Sequence, residues 1–92
     1  MYTRVQFGQE LKSKVEQRED ITVIGHWTYS IYLKYINEIE DRVLDNVLLT
    51  LNTMEDGPEF AFTYEMLNKI ADDLIAGKDI DLNSDEYREP NS

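Results

Sequence analysis

The chain has 92 residues, of which 41% are hydrophobic and 30% charged, and its formal net charge is −10 at pH 7. A chain of this length holds one small core, and its share of apolar and aromatic residues excludes a wholly disordered protein. It contains no cysteine, which excludes disulfide frameworks, thiolate metal sites and thiol chemistry.

The first amphipathic segment lies near the N-terminus. Phe7, Leu11 and Val15 recur every four residues, which places them on one face of a helix. We therefore predict a first helix over residues 3–17.

The second segment, residues 21–36, is apolar over about two-thirds of a helical circumference. Asp20 precedes it and is placed to cap a helix. An apolar helix of this kind lies at the centre of a bundle or presents one side to another chain. Because residues 21–24 are β-branched and residues 59–62 alternate, an α+β fold with a small two-stranded element is the alternative. The segment also carries four aromatic residues: Trp27, Tyr29, Tyr32 and Tyr35.

The third segment, residues 38–55, is amphipathic and is stopped by the sequence Asp-Gly-Pro at 56–58. A single helix over residues 21–54 would be roughly 50 Å long, beyond the roughly 30 Å width of a compact domain of this size. We therefore expect a break at Asn37, with Glu40 completing a capping-box spacing. An unbroken helix within an oligomer is the alternative.

The fourth helix is predicted over residues 64–76 and has a signal at each end. Thr63 is placed as its N-cap, and Gly77 as the glycine that follows its last turn. Beyond it, Ile80 and Leu82 are expected to fold back over the helix end.

These elements predict an all-α fold, a small bundle of about four helices with the aromatic-rich second helix at its centre. We expect one helical domain over residues 1–82 and a short, mobile acidic tail over residues 83–92. The predicted core residues are Phe7, Leu11, Ile24, Trp27, Ile31, Val43, Val47, Leu51, Leu67, Ile70, Leu74 and Ile75.

Two groupings resemble parts of catalytic or metal sites. His26 and Ser30 are four residues apart, but both project along the helix surface and no oxyanion hole is indicated. Residues 79–85 carry oxygen ligands at calcium-loop spacing, yet Ser84 replaces the required glycine and Pro90 the closing glutamate. We predict no catalytic residues, no metal site and no cofactor.

The charge is unevenly distributed along the chain. Residues 1–37 carry five basic and four acidic residues, whereas residues 38–92 carry four basic and fifteen acidic residues. Such a field repels nucleic acids and anionic membranes and suits a basic protein partner. Since the sequence has neither a signal-like apolar run nor an 18-residue apolar span, we expect a cytoplasmic protein.

The predicted binding residues lie on the second and third helices. Glu38, Asp41 and Asp45 are spaced i, i+3, i+7 and form an acidic ridge, and Tyr29 and Tyr32 are aromatic residues of the kind enriched at interfaces. The sequence therefore predicts a non-enzymatic, acidic protein-binding domain that docks on a basic protein as inhibitor, immunity factor or adaptor.

Three alternatives stay open at this point. The aromatic helix that contains Trp27, Tyr29, Tyr32 and Tyr35 can serve as the interface of a homo-oligomeric structural protein. Spaced carboxylates can imitate nucleic-acid phosphates, which suggests a nucleic-acid-mimicking inhibitor. A small enzyme built around His26 is the least favoured alternative.

Overall fold

The computed structural model describes residues 1–87 and contains four α-helices within them. The helices are α1 (Arg4–Glu16), α2 (Ile21–Tyr35), α3 (Arg42–Leu51) and α4 (Tyr64–Ile75), with short 3₁₀ segments at Asn52–Glu55, Pro58–Phe60 and Asp85–Tyr87. Residues 1–87 contain no β-strand. The all-helical prediction is confirmed for these residues, and the two-stranded alternative is wrong for them.

The helix starts are fixed by local capping. Thr3 and Gln6 form a reciprocal capping box at the start of α1. Asp20 caps α2 and Thr63 caps α4, each by accepting a hydrogen bond from a backbone N–H of the first turn. At the other end of α4, Gly77 adopts a left-handed conformation with φ of 78°, which ends the helix where the sequence predicts.

The break between α2 and α3 differs from the prediction at Asn37. α2 ends at Tyr35, and α3 begins only at Arg42. Asp41 is the N-cap in place of Asn37, because its carboxylate accepts hydrogen bonds from two backbone N–H groups of α3. The unbroken-helix alternative is wrong, and the longest extent of the molecule is 37 Å, shorter than such a helix.

Two glycines let chain segments approach closely. A Cβ atom on Gly8 of α1 would lie 2.9 Å from the carbonyl oxygen of Ala71 on α4. A Cβ atom on Gly25 of α2 would lie 2.8 Å from the backbone nitrogen of Glu55 in the 3₁₀ segment that follows α3. The fold therefore consists of two closely packed pairs, α1 with α4 and α2 with α3 and its 3₁₀ extension.

Aromatic stacking joins α2 to the N-terminal region. Tyr2 stacks on Tyr35 with ring centroids 4.3 Å apart, and Phe7 stacks on Trp27 with centroids 5.1 Å apart. The ammonium group of Lys14 lies 4.8 Å from the centre of the Trp27 ring. Two of the four α2 aromatics are thus directed into the molecule.

The core combines side chains from all four helices. Most of the predicted core residues are buried, whereas Trp27, Val43 and Ile75 are half-buried at its edge. Several buried residues were absent from the prediction, namely Tyr2, Val15, Thr28, Leu44, Leu48, Met54, Ala71, Leu82 and Tyr87.

The chain after α4 folds back on that helix. Leu82 is buried and Ile80 half-buried, as expected for a segment that covers the helix end. Tyr87 is only 2% exposed, and its hydroxyl donates a 2.7 Å hydrogen bond to Asp73 of α4. The chain is therefore packed as far as Tyr87, and residues 88–92 of the predicted tail lie outside the described residues.

Candidate protein-binding surface

The outer face of α2 is apolar and exposed. Val23 is 53% exposed, Tyr29 43%, Leu33 51% and Ile36, the residue that follows the helix, 48%. These are four of the seven large hydrophobic residues that are exposed in residues 1–87. Tyr29, Leu33 and Ile36 are spaced i, i+4, i+7, which aligns them in one stripe. A central position therefore does not describe α2, because one of its faces is open to solvent.

Helix α2 also lacks acidic residues. Its charged side chain is Lys34, and His26 is its other titratable group apart from the tyrosines. In a chain with a net charge of −10, this helix therefore contributes no carboxylate to its own surface, although Glu55 approaches His26 from the 3₁₀ segment that follows α3.

Acidic residues follow directly at the C-terminal end of α2. Glu38 and Glu40 are exposed, and Asp45 in the first turn of α3 is half-buried. Within residues 1–87, none of the three forms an ion pair. The C-terminal carbonyl groups of α2 add partial negative charge at the same place. The apolar stripe thus ends in a region of uncompensated negative charge.

Asp41 differs from its acidic neighbours because its carboxylate forms an ion pair with Arg4. Arg4 approaches it with Nε 2.6 Å from Oδ2 and Nη2 2.8 Å from Oδ1. These hydrogen bonds from Arg4 lower the pKa of the Asp41 carboxyl. Arg4 also donates to the carbonyl of Lys78 at 2.7 Å and to Asp79 at 2.8 Å. The predicted ridge of Glu38, Asp41 and Asp45 is therefore not a row of equally available carboxylates.

The two predicted tyrosines differ in exposure. Tyr29 lies in the exposed stripe, whereas Tyr32 is half-buried and packs against the core. Trp27 and Tyr35 are occupied by their stacking partners. Of the four aromatics on α2, Tyr29 therefore offers the largest exposed fraction to a partner.

His26 and Ser30 do not form a nucleophile–base pair. The Ser30 hydroxyl donates to the backbone carbonyl of His26 at 3.2 Å. The imidazole Nδ1 lies 3.3 Å from a carboxylate oxygen of Glu55 and is exposed to solvent. This arrangement is a surface contact between α2 and the 3₁₀ segment Asn52–Glu55.

Residues 79–85, which carry oxygen ligands at calcium-loop spacing, include two aspartates that have partners within the protein. Asp79 binds Arg4, and Asp81 accepts a 2.9 Å hydrogen bond from the backbone N–H of Asn83. Among the described residues, no three acidic or histidine side chains are grouped so that they could hold a metal ion.

A groove of about 450 Å³ lies on a different part of the surface. It is bounded by the end of α3, residues 59–63, the start of α4 and the returning segment near Leu82 and Tyr87. Sequence reasoning missed it because its walls come from three separate stretches of chain, within residues 50–53, 59–66 and 82–87. The one feature of the sequence that indicates the groove is the apolar character of residues 60–62 in an otherwise polar connection.

No helix in the described part of the chain combines the length and apolar character needed to cross a membrane. Comparison with protein-family models, with curated proteins and with solved structures finds no match to this chain.

Proposed function

We propose that the protein is a non-enzymatic, acidic protein-binding domain that docks on a basic protein partner, as inhibitor, immunity factor or adaptor. The observation that supports this proposal is the exposed stripe of Tyr29, Leu33 and Ile36, which is followed by Glu38 and Glu40, two exposed carboxylates that form no ion pair within residues 1–87. Apolar anchors beside a charged rim are the usual anatomy of a specific protein interface.

The two parts of this surface have different roles. Leu33 and Ile36 lose contact with water when a partner covers them, and Tyr29 adds aromatic area with a polar end. Glu38 and Glu40 attract cationic side chains and accelerate the encounter. Tyr32 and Asp45, both half-buried, lie at the margin of the surface.

Asp41 contributes indirectly to the same surface. It caps α3 and binds Arg4, and so it fixes the end of the connection that carries Glu38 and Glu40. Asp41 is therefore a positioning residue in this proposal, and its carboxylate is not a contact for the partner.

The net charge favours a basic partner over a second copy. Two molecules with a net charge of −10 repel each other at distances within the Debye length, about 10 Å at 0.1 M salt. A basic partner is attracted by the same field, and its cations would meet the carboxylates of Glu38 and Glu40, which have no ion pair among the described residues.

The first experiment captures the partner at the proposed surface. A photo-crosslinking amino acid at position 33 is used in an extract of the source cells, with a second protein that carries it at exposed Glu16 as control. We expect a basic protein crosslinked from position 33 and not from position 16. Crosslinks to acidic proteins, or equal yields from both positions, would contradict the proposal.

The second experiment measures association with the captured partner. The double variant Glu38→Lys, Glu40→Lys should slow association by roughly tenfold at low salt, because rim charges act mainly on the encounter rate. The matched control is Glu16→Lys, Glu65→Lys, which changes the net charge equally at exposed sites elsewhere. An association rate that ignores salt, or that falls equally in both variants, refutes docking through the acidic rim.

Homo-oligomerisation is the second candidate function, favoured by the absence of acidic residues from α2. It predicts that the purified protein self-associates through the stripe and that Leu33→Asp makes it monomeric. Sedimentation of the wild-type protein at tens of micromolar decides between the two functions, since our first proposal expects a monomer at every salt concentration.

A further inference from the structure

We infer that the groove beside Phe60 binds a short basic peptide segment that inserts one apolar side chain as its anchor. The Phe60 groove is the cavity of about 450 Å³ between residues 59–63, the start of α4 and the returning C-terminal segment. Its size lies within the roughly 300–1,000 Å³ of typical ligand sites. No residue of α2 lines it, so the inference is independent of the function proposed for the α2 surface.

The lining of the Phe60 groove is mainly apolar. Phe62 and Met66 are half-buried, and Leu82 and Tyr87 are buried. Phe60 is 48% exposed at the edge of this surface. An apolar side chain of a ligand would therefore displace water from both the lining and itself.

The wall formed by Tyr87 is held in place before any ligand arrives. The Tyr87 hydroxyl donates to Asp73 at 2.7 Å, and the ammonium group of Lys69 lies 4.8 Å from the centre of the Tyr87 ring. Lys69 also donates to Asp73 at 3.1 Å. A wall fixed by these contacts loses little conformational freedom when the groove is filled.

The charge of the surrounding chain selects a basic occupant. Residues 55–66 and residues 79–87 each contain four acidic residues and no Lys or Arg. Glu55 contacts His26, Asp79 binds Arg4, and Glu86 lies 3.9 Å from the ammonium group of Lys69. Glu59, by contrast, lines the groove itself and forms no ion pair within the described chain. Cationic residues on either side of the anchor would meet this field, whereas an anionic ligand would be repelled.

The remaining lining groups suit a peptide backbone. Asn83 contributes an amide and Thr50 a hydroxyl, whereas the Thr53 hydroxyl donates to the backbone carbonyl of Thr50 at 2.6 Å and offers a ligand only its acceptor capacity. Amides and hydroxyls are the side-chain groups that bond readily to the N–H and C=O groups of an extended chain. A peptide therefore satisfies the polar, apolar and charged parts of the groove together.

The test uses nuclear magnetic resonance titrations of the ¹⁵N-labelled protein with the capped peptide Lys-Arg-Phe-Lys-Arg. Two comparison peptides replace the anchor (Lys-Arg-Gly-Lys-Arg) or reverse the charge (Glu-Asp-Phe-Glu-Asp). We expect saturable shifts of the Phe60, Met66 and Asn83 backbone amides with the first peptide, and at least tenfold weaker binding of the other two.

Exposed positions supply the variants, so that the fold is preserved. Phe60→Ala and Glu59→Lys should each weaken binding of Lys-Arg-Phe-Lys-Arg by roughly tenfold, the effect of a typical interface anchor or charge. Leu49→Ala is the matched apolar control, because Leu49 is 43% exposed and does not line the groove. Glu16→Lys is the matched charge control, because Glu16 is exposed on α1 and lies outside both proposed surfaces. Both controls should stay within about twofold of wild type.

Three outcomes would overturn the inference. No binding up to millimolar peptide removes it outright, as does equal binding of the three peptides. Shifts confined to α2 and residues 38–40, with binding lost in Glu38→Lys and kept in Glu59→Lys, also overturn it while supporting the proposed function. Conversely, groove binding that survives Glu38→Lys stands even if the α2 surface proves to have no partner.

Discussion

Arg4, at the start of α1, donates two hydrogen bonds to the carboxylate of Asp41, from Nε at 2.6 Å and from Nη2 at 2.8 Å. Asp41 in turn is the N-cap of α3. One carboxylate thus connects the first helix to the third and sets where the third begins. Both side chains are less than one quarter exposed, so the pair is screened less than a pair on the open surface.

Replacing Asp41 should destabilise the protein. We expect Asp41→Ala to lower the free energy of unfolding by about 1–3 kcal/mol, because it removes both an N-cap and the partner of Arg4. Asp41→Asn keeps a capping side chain and should cost less. Urea unfolding measures both variants, and a loss under about 0.5 kcal/mol for Asp41→Ala would refute the structural role.

Acid should weaken the fold through Asp41 and Asp73. Hydrogen bonds from Arg4 lower the pKa of Asp41. Burial alone would raise the pKa of Asp73, but the hydrogen bonds from Tyr87 and Lys69 have the larger effect, so the pKa of Asp73 is lowered as well. The unfolded chain binds these protons first, near the ordinary pKa of about 3.9. The stabilisation is therefore complete above about pH 5 and is lost as the pH falls through the lowered values. Urea unfolding from pH 7 to 3 should show a shallower decline for Asp41→Asn than for wild type; identical slopes would contradict the assignment.

Removing the Tyr87 hydroxyl should loosen the C-terminal segment. We expect Tyr87→Phe to cost about 1–2 kcal/mol, since the buried Asp73 loses one of its donors. Burial and the bond to Asp73 raise the pKa of Tyr87, so its stabilisation is present below the ordinary value of about 10 and is lost as the pH rises further. Unfolding measured at pH 7 and above pH 10 should show a smaller alkaline loss in Tyr87→Phe. An alkaline loss equal to that of wild type would exclude this bond as its source.

The close-approach glycines should not tolerate a methyl group. Alanine favours a helix interior by about 1 kcal/mol over glycine. Nevertheless we expect Gly8→Ala and Gly25→Ala to destabilise by about 1–3 kcal/mol, because the new Cβ meets backbone atoms under 3.0 Å away. Thermal unfolding is the measurement, and a gain in stability in either variant would show that the helices can separate without cost.

Leu74 provides a test of the core around α4. It is fully buried, and Leu74→Ala should lower the free energy of unfolding by roughly 2–5 kcal/mol. Leu49→Ala, at an exposed position on α3, is the control and should change it by less than about 0.5 kcal/mol. Equal effects in the two variants would mean that α4 does not form part of the core.

The sequence predicts those parts of the fold that depend on nearby residues. The ends of α4 follow from Thr63 and Gly77, and the apolar spacing of α1 is local too. The start of α3 does not follow from nearby residues, because Asp41, its N-cap, is held by a contact with Arg4, 37 positions earlier in the chain. A capping pattern at Asn37 is equally good locally and loses to that tertiary contact.

The surface was predictable only in part for the same reason. Tyr29 lies on α2 and is exposed, as its use in a partner interface requires, whereas Glu38 is exposed in the connection between α2 and α3 and not on the predicted third helix. The ion pair of Asp41 depends on Arg4, and the packing of Tyr87 depends on its hydrogen bond to Asp73; both partners are distant in the chain. The Phe60 groove depends on how three stretches, within residues 50–53, 59–66 and 82–87, pack together, which no local pattern encodes.

The packing of α1 on α4 through Gly8 and Ala71 also sets an order of events during synthesis. The two residues are about 60 positions apart, which a ribosome covers in roughly 3–12 s at 5–20 residues per second. Throughout that interval α1 exists without the helix that covers it, and Phe7 and Leu11 face water or transient neighbours. We therefore expect the nascent chain to remain collapsed but unfolded, and a client for chaperones, until α4 has left the ribosome.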